Sequence, residues 1–220
     1  MDAKVVFPDP RIAALAEAAA DGDTSQIREL VQAGTDPNAR GDKGTTLLQW
    51  ALFNRSTDGL AGLLRVGADA RAADSSGRTV LHYAAMANDP AYLEVLLAHR
   101  ADPNAPNAVT GDTPLMSALM GNREEQFRAL LASGAKPDLV DRMDNTALHV
   151  AAKINAHQRV LDLLEVGADP RARNRQGATF QTYLATTPTH ILSEDGRRGR
   201  EAIARWLRDH GVSQEQPARQ

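Results

Sequence analysis

The stretch Gly77–Asn104, GRTVLHYAAMANDPAYLEVLLAHRADPN, carries the pattern on which the rest of the chain is built. Its opening, Gly-x-Thr-x-Leu at Gly77–Leu81, returns as GTTLL at Gly44–Leu48 and GDTPL at Gly111–Leu115, and in altered form as DNTAL at Asp144–Leu148 and GATFQ at Gly177–Gln181. The threonines Thr46, Thr79, Thr113, Thr146 and Thr179 stand 33, 34, 33 and 33 residues apart. A second mark keeps the same beat: Gly34-Thr35-Asp36, Gly67-Ala68-Asp69, Arg100-Ala101-Asp102, Gly134-Ala135-Lys136 and Gly167-Ala168-Asp169. Two independent marks at one period define a repeat protein, whose units bury their apolar faces against their neighbours. Between the marks, Leu48, Ala51 and Leu52 and then Leu60, Leu63 and Leu64 fall at helical spacing, as do Leu93, Leu96 and Leu97 in the next unit. Each unit therefore predicts two short amphipathic helices.

The pattern resembles the ankyrin repeat, whose signature runs T-P-L-H-x-A-A, then V-x-L-L-L, then G-A-D-x-N-A. Thr113-Pro114-Leu115, Leu81-His82-Tyr83-Ala84-Ala85 and Leu148-His149-Val150-Ala151-Ala152 carry it, and the likeness covers roughly residues 12–212. It implies an all-α repeat fold, an ankyrin-repeat solenoid of about six helix-turn-helix units with β-hairpin-like fingers. We expect one elongated domain over 1–220, with repeats near 9–40, 41–73, 74–107, 108–140, 141–173 and 174–213 and a flexible tail at 214–220. The first repeat lacks the threonine opening and suits a terminal cap, preceded by a lead-in in which Pro8 and Pro10 discourage helix. In the sixth, Gln181 replaces leucine, and a polar insertion at 187–199 carries the basic cluster Arg197-Arg198-Gly199-Arg200 ahead of a closing helix, Arg200–His210.

Composition narrows the functional classes. The formal net charge is −3, too near neutral to draw in nucleic acid over a distance. There is no cysteine, hence neither a disulfide framework nor a thiolate metal site, and no metal or other cofactor is expected. Met1–Arg11 lacks a basic start followed by an apolar core, so the chain reads as cytoplasmic, or as periplasmic if a leader has been removed. No apolar run reaches the 18 residues a membrane span requires.

No catalytic constellation stands out, and we expect no enzyme. His82 and His149 occupy the same repeat position, where the ankyrin resemblance implies a hydrogen-bonded link to the next repeat. Asp36, Asp69, Asp102 and Asp169 follow the helix stops and suit turn amides rather than shared-proton chemistry. The serines have no G-x-S-x-G elbow, and no phosphate-binding glycine loop occurs.

Recognition is the remaining class. Counting from each threonine, the fourth residues are Trp50, Tyr83, Ser117, Val150 and Tyr183, and the seventh are Phe53, Met86, Met120, Lys153 and Thr186. A spacing of three puts both series on one helix side, which in an ankyrin fold faces the concave groove. Aromatic residues make up only 4% of the chain, yet Trp50, Phe53, Tyr83 and Tyr183 share these rows with Met86, Met120 and Lys153. Such side chains bury large area at modest entropic cost, so a protein-binding centre is expected there. Its rim would come from the finger tips: Lys43, Ser76, Arg78, Asp112, Arg142, Met143, Asn145, Arg175 and Gln176. The mixed signs suit a protein partner rather than a phosphate backbone.

The chain also resembles bacterial ankyrin-repeat immunity proteins associated with type VI secretion lipase effectors, in FPDPRIAALAEAAADGD at Phe7–Asp23, GTTLLQWAL at Gly44–Leu52 and REAIARWLRDHGV at Arg200–Val212. That likeness implies a protein, monomeric when free, that binds and neutralises a secreted lipase; a general cytoplasmic scaffold or adaptor is the alternative.

Overall fold

The computed structural model describes residues 2–215, which form two compact units divided between residues 135 and 136. In the first unit, α1 (Ala3–Val6) leads into the pair α2 (Pro10–Asp21) and α3 (Thr24–Gln32). Three further pairs follow: α4 (Leu47–Phe53) with α5 (Thr57–Arg65), α6 (Val80–Met86) with α7 (Ala91–Ala98), and α8 (Pro114–Met120) with α9 (Glu124–Ala132). The second unit holds α10 (Ala147–Lys153) with α11 (His157–Glu165), and α12 (Phe180–Thr186) with α13 (Glu194–Asp209). Fingers separate the pairs, and those of the first unit carry the isolated antiparallel bridges Arg40↔Thr46 and Ala73↔Thr79.

Helices of seven residues do not hold themselves in water, so packing and caps must hold them. Leu48 and Ala51, Leu81 and Ala84, Leu115 and Ala118, and Leu148 and Ala151 are all buried, with alanine letting successive first helices within each unit approach closely. The second helices bury Leu60 and Leu63, Leu93 and Leu96, Phe127 and Leu130, Val160 and Leu163, and Ile203 and Leu207. Thr46 caps α4 through a reciprocal box with Gln49, whose amide then reaches the carbonyl of Arg78 at 3.0 Å. His82 repeats the arrangement: Nδ1 accepts from the Thr79 amide, which fixes the proton on Nε2, and Nε2 donates to the carbonyl of Asp112 at 3.0 Å. His149 does the same with Thr146 and the carbonyl of Ala178. The histidine links implied by the repeat motif are present. The aspartates also act as expected, each accepting the amide two residues on: Asp36 from Asn38, Asp69 from Arg71, Asp102 from Asn104 and Asp169 from Arg171.

Each second helix ends in a left-handed residue, Gly34, Gly67, Gly134, Gly167 or Gly211; in the third repeat Arg100 takes that conformation, with φ 61°.

Both termini differ from expectation. The lead-in is not extended: Asp2 caps α1, Asp9 caps α2 with Pro10 in its first turn, and Phe7 between them is 1% exposed. Proline at a first helical position costs no hydrogen bond, which is why Pro10 starts this helix rather than blocking it. At the other end α13 begins at Glu194, capped by Ser193, so Arg197, Arg198 and Arg200 lie on a helix and not in a loop. Of the expected tail, Gln214 and Glu215 are held by hydrogen bonds to Ala204, Gln181, Thr179 and Thr182, and residues 216–220 lie outside the described residues.

Candidate protein-binding site

In the first unit several of the side chains expected at the binding centre gather around Tyr83. Its hydroxyl donates to Asp74 Oδ2 at 2.6 Å, Phe53 meets its ring edge-on at 5.1 Å, and the Arg78 guanidinium lies 5.7 Å from the ring centroid. Phe53 and Met120 remain 39% and 46% exposed, and Tyr83 and Met86 are half-buried, so the apolar row from the seventh positions meets solvent. Asp74 sits at the base of the finger and also accepts from the amides of Ser76 and Arg78, the Ser76 hydroxyl and Gln49 Nε2. Burial raises its pKa, but the hydrogen bonds from Ser76, Tyr83 and Arg78 outweigh it, and the carboxyl titrates below its usual value. Tyr83 moves the other way, raised by burial and by donating to that carboxylate.

Trp50 is not part of this surface. It is 2% exposed, its Nε1 donates to the carbonyl of Ala16 at 2.9 Å, and Phe7 meets it edge-on at 5.6 Å. The first helix pair and the lead-in cover a position that stays open one repeat later. Of the first unit's rim, Lys43 and Ser76 are exposed while Arg78 and Asp112 are half-buried. The Asp112 carboxylate is tied to the Thr110 hydroxyl at 2.7 Å.

The second unit builds a parallel arrangement on Tyr183. Its hydroxyl accepts from Asn174 Nδ2 at 2.7 Å and donates to Gln176 Oε1 at 3.1 Å. The ring carries Lys153 Nζ 4.6 Å from its centroid and meets His149 edge-on at 6.1 Å. Lys153 also donates to Asn145 Oδ1 at 2.8 Å. Asn145, expected on the rim, is instead 5% exposed and is an internal strut: it donates to Asp141 Oδ2 and accepts from Asn174 and Lys153. A side chain flanked by so many short-range partners has more to gain buried than at a finger tip. Arg142, Met143 and Arg175 are exposed, Met143 at 50%, and Arg175 pairs with Asp144 at 3.2 Å.

Asp74 and Asn174 are the residues that the motif reading missed. Each stands nine positions before its tyrosine, and with Ser76 and Gln176 two positions further on they make a recurring Asx-x-polar triplet. That triplet was the available signal.

A family model described as ankyrin repeats, in three copies, matches residues 15–107 and again 93–174. The chain belongs to the ankyrin-repeat family. The ankyrin repeat domain of Bcl-3 superposes with a TM-score of 0.73 at 27% identity, covering 85% of this chain and 81% of that one. Protein PhlB of Serratia liquefaciens is 51% identical over 143 residues, 64% of this chain and 62% of its own length. A mitochondrial disaggregase of Bos taurus is 28% identical over 94% of this chain, which spans only 28% of that protein. Ankyrin repeats are protein–protein interaction modules, and the exposed side chains around Tyr83 and Tyr183 are of the kind such modules present. Among the described residues no helix is long and apolar enough to cross a membrane.

Proposed function

We propose that this ankyrin-repeat protein is an immunity protein that binds and neutralises a secreted bacterial lipase of the type VI effector class, through its tyrosine-bearing faces and finger tips. The carrying observation is the Tyr83 face: Phe53 and Met120 stay exposed beside a tyrosine whose orientation is fixed by Asp74. A tyrosine held by Asp74 with Phe53 packed edge-on against it suits a partner's apolar segment, because these restrained rings lose little side-chain freedom on contact. The similarity to PhlB of Serratia supports a bacterial setting, and the immunity role itself rests on the sequence motifs quoted above. Lys43, Ser76, Arg78 and Asp112 would frame the Tyr83 face, and Arg142, Met143, Lys153 and Arg175 the Tyr183 face. Trp50 and Asn145 act from the interior, as supports.

The test is co-expression of the chain with candidate lipase effectors, followed by a lipase assay on the co-purified complex. Stoichiometric inhibition by the native protein, lost in a Phe53→Ala/Tyr83→Ala variant with native circular dichroism, is the expected outcome. Full lipase activity at saturating native protein for every effector tried would sink the immunity reading. The adaptor reading draws on another observation: the chain is also similar to parts of proteins as unlike as a mitochondrial disaggregase and SH3 and multiple ankyrin repeat domains protein 2 of Homo sapiens.

A further inference from the structure

The second unit contains a pocket of about 420 Å³ between α12 and α13, closed on one side by the loop at Thr187 and on another by Gln214 and Glu215. Its floor is apolar: Leu184, Ile203 and Leu207 are 6%, 1% and 3% exposed. The one positively charged side chain that lines it is Arg200. Its guanidinium donates to the carbonyl of Thr187 at 2.9 Å, while Nε is buried with no hydrogen-bond partner. No carboxylate pairs with it among the described residues, in contrast to Arg159, Arg173, Arg175 and Arg198 of the same unit. Glu215 on the opposite wall is already engaged, accepting from the Thr179 and Thr182 hydroxyls and pairing with Arg173.

A partly desolvated guanidinium without a counter-ion favours an anion far more than one in open water does, and its planar fork matches a carboxylate. Burial already holds Arg200 below its usual pKa, the direction expected of an uncompensated cation. An inorganic anion would leave the apolar floor uncovered, and a neutral hydrocarbon would leave the cation bare. The volume falls in the range of small-molecule sites.

We propose that this pocket binds an alkyl carboxylate, with the carboxylate on the Arg200 guanidinium and the chain over Leu184, Ile203 and Leu207. None of these residues belongs to the tyrosine-bearing faces, so the outcome is independent of the immunity reading. A local reporter is at hand in His157. Its imidazole is 7% exposed, and its pKa is lowered by burial and then by the charge of Arg200. A carboxylate on Arg200 therefore raises it.

The experiment titrates hexanoate, octanoate, decanoate and decanol, below micellar concentrations, into the full chain by calorimetry, with the His157 ring resonances followed against pH. Expected is saturable one-to-one binding that strengthens toward a ceiling of about fourfold per added CH₂, at least tenfold weaker binding of decanol, and an upward move of the His157 titration. Arg200→Gln should lose at least tenfold in affinity for decanoate, and Arg200→Lys should recover part of it. Ala204→Phe, which fills the pocket and keeps the charge, should abolish binding, and it decides the matter if Arg200→Gln fails to fold. Absence of saturable binding overturns the proposal, as does decanol binding equal to decanoate or decanoate binding unchanged in the folded Ala204→Phe protein.

Discussion

Tyr83 and Tyr183 occupy the same position of the repeat, and each is tied to an Asx residue nine positions earlier, yet their surroundings differ in chemistry. Tyr83 donates to a carboxylate and carries Phe53 on its ring; Tyr183 is held by amides and carries Lys153. One repeat position thus has an apolar neighbour on its ring in the first unit and a cationic one in the second. Two substitutions make the difference: aspartate for asparagine at the finger base, and phenylalanine for lysine on the preceding first helix. Trp50, at the same position again, yields no face at all, because Phe7 and Ala16 cover it. What a repeat position presents depends less on its own side chain than on what the neighbouring repeat brings to it.

The largest effects should come where this comparison depends on close packing. Gly59 lies so near the carbonyl of Ala19 that a Cβ would overlap the backbone of α2, whereas a Cβ on Gly199 would meet His157 Cβ at 2.6 Å. Gly59→Ala should cost more than about 3 kcal/mol in urea unfolding and Gly199→Ala about 1–2 kcal/mol, since the first meets helix backbone and the second a side chain that can give. Trp50→Ala should cost about 3–5 kcal/mol, through the lost ring and the lost indole hydrogen bond to the carbonyl of Ala16. A loss below about 1 kcal/mol would show that the lead-in does not hold that side chain in solution.

Next come the tyrosine hydroxyls. Tyr83→Phe removes a bond to a charged acceptor and should cost about 1.5 kcal/mol, toward the lower end for such bonds because Asp74 keeps other donors. Tyr183→Phe removes neutral bonds only and should cost about 0.5–1 kcal/mol. Equal losses by chemical denaturation would erase the distinction between the two anchors.

For binding, Phe53→Ala should weaken an identified partner at least tenfold with little change in stability. Lys153→Met should weaken it about threefold, with the difference vanishing in high salt. If Lys153→Met proves the more damaging, the second unit rather than the first carries the energy.

Stability should also depend on pH. His82, His149 and His157 are all held below the usual imidazole pKa, first of all by burial. The unfolded chain then takes up protons more readily, so their contribution is complete above about pH 6.5 and is lost as the pH falls from there toward the depressed folded values. Each histidine can contribute a slope of at most about 1.4 kcal/mol per pH unit. Two of the three lie in the second unit, so amide protection in α10 and α11 should fall before that in α6 and α7. The reverse order, or a flat profile from pH 7 to 5, would contradict the burial of these rings.

The sequence by itself determined the repeat period, the helix pairs and the role of the recurring aspartates, and its resemblance to the ankyrin repeat implied the histidine links. These follow from short-range patterns: a threonine cap, a side chain three residues on, an apolar stripe at helical spacing and a left-handed stop. They are legible because the same local solution is written several times in one chain. Only the tertiary structure decided that Trp50 is buried, that Asn145 is a strut and that Asp74 and Asn174 fix the tyrosines. It alone decided that α13 starts six residues early and that Arg200 stands over an apolar pocket. The burial of Trp50 and the setting of Arg200 depend on neighbours outside the periodic pattern, where the next element is no longer another copy of the repeat, and Asn145 depends on Asn174 of the following finger. Burial and charge pairing are properties of that meeting, and a linear pattern does not contain it.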